Sequence, residues 1–354
     1  MNTRRFSLFA LFVLCLCLAA QAEGLLPGEN ASGKQIYTDV NGDSMTVPDQ
    51  FRVSEEPDEQ TIRTGAVIIG PDGSEFVWIP TTVTPMGVQE FGSYFSGSGS
   101  VSGYYDETDS PVYQEMIAST EKYGGFYLGR YEASRGENGL PASRRVSENG
   151  PGRVWVQFSP QDTVKACENL YADNNTLQGF FPWGINWDTA LQWLIDSGSR
   201  TWEDVARDST AWGNYSDDSF SAGARGNCTG VWEEAKANNI YDLAGNNWEW
   251  TQERFGSDYV MRGGGYNLMG GACRGGDYPA ALRDPLPGND HHPTCVFGSH
   301  SLFDDIQEVY HEAYCFVLGI VSVDALCDSP GGGRNDENCV FRQLHPAGQR
   351  SGTD

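Results

Sequence analysis

Apolar and polar residues along this chain come mostly in short alternating bursts, with few long helical stripes. Ile36-Tyr37 and Met45-Thr46-Val47 flank Asn41-Gly42, a residue pair suited to the tight turn of a hairpin. Ala66–Ile69 reads as a strand, Pro71-Asp72-Gly73 as a turn and Phe76–Pro80 as the next strand. Gly124–Ala133 alternates apolar with polar residues, which predicts a strand with one buried face. Ser159-Pro160-Gln161-Asp162 carries a helix start: a capping Ser, Pro at the first helical position and an acid three residues on. Val164, Cys167, Leu170 and Tyr171 then follow at helical spacing, so Cys167 reads as a packed core thiol or a half-cystine, not a nucleophile. A second helix is predicted from about 187 to 196, with Ala190, Leu191, Leu194 and Ile195 as its stripe and Gly198 as its stop. Thr201-Trp202-Glu203-Asp204 caps a short third. Residues 91–105, 134–152 and 209–230 are rich in turn formers and read as loops.

The densest stretch is Asn239-Ile240-Tyr241-Asp242-Leu243-Ala244-Gly245-Asn246-Asn247-Trp248-Glu249-Trp250-Thr251. On a strand Trp248 and Trp250 share one face and Glu249 takes the other. A carboxylate set among large apolar side chains is costly unless something pairs with it. Asp242, Glu249 and the turn carbonyls at Gly245 and Asn247 offer oxygen alone, the ligand type that a hard cation such as calcium requires. The same spacing also suits an Asx-type turn with Glu249 bonded to backbone or to an Arg, and spacing leaves both readings open.

Tyr241–Thr251 resembles the signature of the formylglycine-generating enzyme (sulfatase-modifying factor) family. Phe76–Pro80, Gly124–Ala133, the two longer helices, Val260-Met261-Arg262-Gly263-Gly264-Gly265-Tyr266 and Ala280-Ala281-Leu282-Arg283 resemble that family's other landmarks, in family order, across 75–294. The resemblance implies a C-type-lectin-like α+β fold with small twisted antiparallel sheets, two main helices and much irregular loop. It also implies calcium at the signature, held by the Asp242 side chain, the Gly245 and Asn247 carbonyls and the Glu249 carboxylate. Asn214, Asp217 and Asp218 match a second calcium site of the family only loosely, and a solvated loop is the expectation there.

The family's catalytic machinery is incomplete in this chain. Its oxidase members hold copper(I) on two Cys just after the Arg-Gly-Gly strand, since thiolates suit the soft ion, and oxidise a sulfatase Cys to formylglycine. Here Cys273 stands alone and Pro279 falls where the second Cys is sought, so copper is not expected and Cys273 is the sole catalytic candidate. A sister branch uses iron on three His, but every His of this chain lies at 291 or beyond, so no His-ligated iron is expected either. The contrasting expectation is a binding module for a protein or small-molecule ligand. The resembled fold displays a variable surface on the segment corresponding to 266–294, which here offers Tyr266, Asn267, Arg274, Asp277, Tyr278 and Arg283, with Asn289 and Asp290 beside them, residue types that make adaptable contacts. Formylglycine-generating oxidation remains the alternative.

Composition narrows this further. The 354 residues carry a net charge of −25, which leaves no basic footprint for nucleic acid. Residues 1–22 read as a signal peptide: Arg4 and Arg5, an apolar run from Phe6 to Ala20, then Ala20-Gln21-Ala22 as the cleavage site. The expectation is a secreted, periplasmic or cell-surface protein with no membrane span after cleavage. Residues 23–74 form an N-terminal extension with a hairpin, and 75–294 the sulfatase-modifying-factor-like domain. The family's closing Gly-Phe-Arg strand is missing after Pro293, while a shifted codon frame there permits Val-Arg-Phe-Arg-Val-Ala-Leu. Residues 295–354 are therefore expected to be an atypical tail, either out of frame or a Cys-stapled appendage holding Cys295, Cys315, Cys327 and Cys339.

Overall fold

The structure is a computed structural model that describes residues 24–31, 34–91, 102–147, 153–156, 159–215, 226, 228–266, 283–286, 314–315 and 318–322. The chain is α+β, with few helices and small, mostly antiparallel sheets.

The largest sheet has six strands in the order Leu177–Phe180, Gly319–Ser322, Gly125–Gly129, Glu75–Pro80, Val67–Ile69 and Arg52–Val53. Every neighbouring pair in it is antiparallel. Its interior is aromatic and β-branched: Phe76, Val77, Trp78, Ile79, Phe126, Tyr127 and Ile320 are buried. Trp78 sits directly across from Tyr127, and their rings meet edge to face at 4.8 Å between centroids. All of Gly125–Gly129 is buried, whereas the alternation in the sequence predicts one exposed face. The strand is interior to the sheet, and the Pro111–Tyr123 helix packs against it. That helix follows the turn formers of 91–105. It buries Ser119 and Thr120 alongside Tyr113 and Met116, so its core-facing stripe is half polar in sequence.

Gly319–Ser322 places part of the 295–354 tail inside the core. It lies between Gly125–Gly129 and Leu177–Phe180, with Ile320 and Val321 buried. Gly319 is obligatory there, because an added Cβ would lie 2.4 Å from the Phe180 ring. Ser119 on the Pro111–Tyr123 helix donates a hydrogen bond to the Ser322 carbonyl. Gly319–Ser322 is thus an interior strand of the six-stranded sheet.

The second sheet is built on Trp248–Phe255. Asp258–Arg262 pairs with it antiparallel, Arg283–Leu286 pairs with that strand, and Tyr104–Tyr105 and Tyr314–Cys315 add short pairings. A third sheet, Leu26–Ala31, Lys34–Thr38 and Ser44–Val47, contains the predicted hairpin. Its turn is closed by Asp39 Oδ1, which accepts from Asn41 N at 2.9 Å and Asp43 N at 3.1 Å.

The helix starts follow their sequence signals. Ser159 Oγ accepts from Asp162 N at 3.2 Å and opens Pro160–Glu168. Thr201 and Asp204 form a reciprocal capping box at the start of Trp202–Ala206. The central helix is Gly184–Asp196, three residues longer at its start than the apolar stripe predicts. Asp106, distant in sequence, takes the first two backbone donors, Gly184 N and Ile185 N, at 2.9 Å each. Within 134–152, predicted as loop, Ala133–Arg135 and Pro141–Ser143 pair as a small ribbon.

Candidate metal site

The signature folds into a turn of left-handed residues followed by a buried strand. Asp242 has φ 61°, Gly245 φ 74° and Asn246 φ 57°, so the chain coils tightly before entering Trp248–Phe255. The turn is tied down on several sides. Gly245 N donates to Gly263 O at 3.0 Å, Asn246 N to Asn214 O at 2.8 Å, and Tyr266 N to Asn246 O at 2.7 Å.

Buried polar atoms in folded proteins nearly always have a partner, and this turn breaks that rule repeatedly. Asp242 Oδ2 accepts from Thr229 Oγ1 at 2.7 Å and Gly230 N at 3.0 Å, yet its Oδ1 has no partner. Asn247 Oδ1, Asn214 Oδ1 and both carboxylate oxygens of Glu249 also have none. Each of these residues is fully buried. Burial pushes the Glu249 carboxyl well above the usual carboxylate range, and the nearby charges of Glu132 and Asp242 push it further. Burial likewise raises Asp242 to about 6, against the hydrogen bonds from Thr229 and Gly230. No Arg pairs with Glu249 among the described residues, and its own backbone N–H is the one hydrogen-bond donor that favours its charged form.

The backbone makes room for these oxygens. A Cβ on Gly263 (φ 84°) would lie 2.3 Å from Glu249 Oε2 and 3.3 Å from the Leu243 carbonyl oxygen, so the glycine lets the strand end pass close to the carboxylate. Gly226 stands close to Asn247, where a Cβ would lie 3.1 Å from Oδ1.

Two residues stand at the turn that the sequence does not assign to it. Asn214, assigned to a solvated loop, is buried and bridges to Gly245, donating through Nδ2 to Asn246 Oδ1 at 2.9 Å. Its companions Asp217 and Asp218 lie outside the described residues. Glu132 is the other. Its Oε1 accepts from Asn247 N at 3.0 Å, and its Oε2 accepts from Asn247 Nδ2 at 2.9 Å and from Asn246 Nδ2. The one signal for it was an acid within the apolar landmark Gly124–Ala133.

The donor set fits a hard cation. Among the described residues no three His, Cys, Asp or Glu side chains gather as a metal-binding group. What the turn offers is two carboxylates, Asp242 and Glu249, together with amide and carbonyl oxygens, the mixture calcium accepts and soft metals do not.

Other nominated residues fare differently. Tyr266 is half-buried and anchored to the turn through its backbone. Arg283 is not an exposed contact. It is buried with Arg262, Asp188 and Glu253 in a four-membered ion-pair ring. Arg283 Nη2 meets Asp188 at 2.5 Å and Nε meets Glu253 at 2.8 Å, while Arg262 Nη1 meets Glu253 at 2.7 Å and its Nη2 meets Asp188. Two guanidiniums and two carboxylates neutralise one another there, which leaves Arg283 committed to the interior. Cys273, Asn267, Arg274, Asp277, Tyr278, Asn289 and Asp290 lie outside the described residues.

No protein-family model, curated protein or solved structure matches this chain. Among the described residues no helix is long and apolar enough to cross a membrane.

Proposed function

We propose that this chain is an exported binding module of the sulfatase-modifying-factor type, on a C-type-lectin-like fold, whose signature turn is completed by one structural calcium. The observation that carries this reading is Glu249: a fully buried carboxylate with no partner for either oxygen, beside an Asp242 oxygen in the same condition. Asp242, Glu249, Asn247 and the Gly245 carbonyl would hold the ion. Bound there, calcium would supply the positive charge that lets these carboxyl groups ionise, which burial otherwise disfavours.

The link to binding runs through Tyr266. Its N–H bonds to the Asn246 carbonyl, so the segment that starts at Tyr266 leaves directly from the turn. Fixing the turn fixes the root of that segment, whose Tyr266, Asn267, Arg274, Asp277 and Tyr278 form the contact surface in this reading. Arg283 is left out of that surface because its charge is used inside. A lone Cys273 does not provide the thiolate pair that copper(I) requires, so oxidation of a sulfatase Cys is the lesser reading.

Metal content of the purified mature protein tests both, with calcium and copper measured together and turnover assayed on a Cys-containing sulfatase peptide. About one calcium per chain, no copper and no turnover is the expected result. Stoichiometric copper with turnover overturns the binding-module reading.

A further inference from the structure

We propose that Glu132 is the positioning residue of the calcium turn: it holds the Asn247 amide so that the side-chain oxygen, not the NH2 group, faces the ion. This inference rests on the calcium reading above and adds to it a side-chain donor at Asn247 and the group that orients it.

An Asn side chain has one accepting and one donating end of nearly the same shape, and its hydrogen-bond partners decide which end points where. An ionised carboxylate only accepts. Glu132 takes Asn247 N at 3.0 Å on one oxygen and Asn247 Nδ2 at 2.9 Å on the other, so it captures the residue's backbone and side-chain donors together. With Nδ2 held, Oδ1 is turned away. It is buried without a partner, as are the Glu249 oxygens and Asp242 Oδ1. Asn246 is held in the same way, through Nδ2 to Glu132 and to the Cys228 carbonyl at 2.9 Å.

Glu132 also reaches Asp242. Its backbone N–H donates to Thr229 Oγ1 at 3.3 Å, and that hydroxyl donates to Asp242 Oδ2 at 2.7 Å. One residue on a distant segment thus fixes Asn247 directly and Asp242 through Thr229. It is not itself a member of a three-carboxylate group, since none forms among the described residues. Outer groups of this kind typically change metal affinity about 10- to 100-fold when removed.

Glu132→Gln is the test. A glutamine presents an NH2 where the Asn donors need an acceptor, which favours rotation of the Asn247 amide and turns its NH2 toward the ion. The readouts are calcium affinity by calorimetry, terbium luminescence sensitised through Trp248 and Trp250, and the melting temperature in chelator. Glu132→Gln is expected to weaken calcium and terbium binding about 10- to 100-fold. In an Asn247→Ala background it is expected to add little further loss, because the two act through one donor. Unchanged affinity, or losses that add fully, overturns the inference; a lowered chelator melting temperature with intact affinity means that Glu132 supports only the fold. Should Glu132→Gln fail to fold, Asn247→Ala alone decides. It keeps the backbone carbonyl, so unchanged calcium affinity rules out the side-chain donor. Wild-type protein that binds neither ion fails the calcium reading itself, an outcome distinct from wild type and variant binding equally.

Discussion

Glu249 and Arg262 stand directly opposite each other on paired antiparallel strands, yet they do not form an ion pair. Residues opposed in this way project to the same side of the sheet, so an Arg–Glu bridge is the arrangement the register invites. Arg262 gives its guanidinium to Asp188 and Glu253 instead, and Glu249 keeps both oxygens without a partner in a fully buried site. Breaking a buried pair normally costs about 3–5 kcal/mol.

Glu249→Gln separates the two states of the site. In chelator the variant is expected to melt at a higher temperature than wild type, since it removes a carboxyl whose ionised form burial, Glu132 and Asp242 all disfavour. Added calcium, which at about 100 times its Kd stabilises a one-site protein by about 2.7 kcal/mol, is expected to raise wild type and leave the variant unmoved. Thermal melts of both proteins in both buffers check this. A variant that is less stable than wild type in chelator contradicts it.

Acidity acts in the same direction on two groups. Asp242 is raised to about 6, and Asp106 to about 7 by burial and by Glu253, against the N–H groups of Ile185 and Gly184. Both folded values lie above the unfolded ones, so between about pH 4 and 7 the folded chain holds protons that the unfolded chain has released. In chelator, stability is therefore expected to fall as pH rises through that window. Asp106→Asn is expected to flatten the fall. Calcium affinity runs the other way and weakens as pH drops, because protons compete for Asp242 and Glu249. Denaturation at several pH values, with and without calcium, measures both slopes.

Arg283→Met leaves Asp188 and Glu253 with Arg262 alone and is expected to destabilise the fold by about 3–5 kcal/mol. Urea unfolding measures the loss. A stable Arg283→Met protein that has merely lost a ligand would restore Arg283 to the contact surface.

Ile320→Ala probes the strand contributed by the C-terminal segment. Ile320 is fully buried between two neighbouring strands, so the expected cost is about 2–5 kcal/mol. A chain ending before Gly319 exposes two unpaired edges, at Leu177–Phe180 and Gly125–Gly129, and is expected to aggregate instead of melting cooperatively. Normal melting of the shortened chain would contradict a structural role for this strand.

Local chemistry made much of this protein legible. The capping residues Ser159 and Thr201, the Asn41-Gly42 hairpin and the oxygen-only turn at Asp242–Glu249 all act within a few residues of themselves. What escaped acts at long range. Glu132 and Asn214 reach the turn from sequence positions far upstream, and nothing in their own surroundings marks the partner. Arg283 has the composition of a contact residue, and only the fold brings Asp188 and Glu253 to it. The Pro111–Tyr123 helix hid because Ser119 and Thr120 share its buried face. Gly319–Ser322 does carry a signal, a β-branched run around Gly319, but its partner strands Gly125–Gly129 and Leu177–Phe180 lie far upstream in the chain.

The most direct test of the account is a calorimetric melt of the full mature chain at neutral pH, in chelator and across a calcium series. A calcium ion that completes the Asp242–Glu249 turn requires a melting temperature that climbs with calcium concentration, with magnesium far less effective. An identical melting temperature in chelator and in saturating calcium would contradict it, and Glu249 would then stand as a buried acid kept in its protonated form.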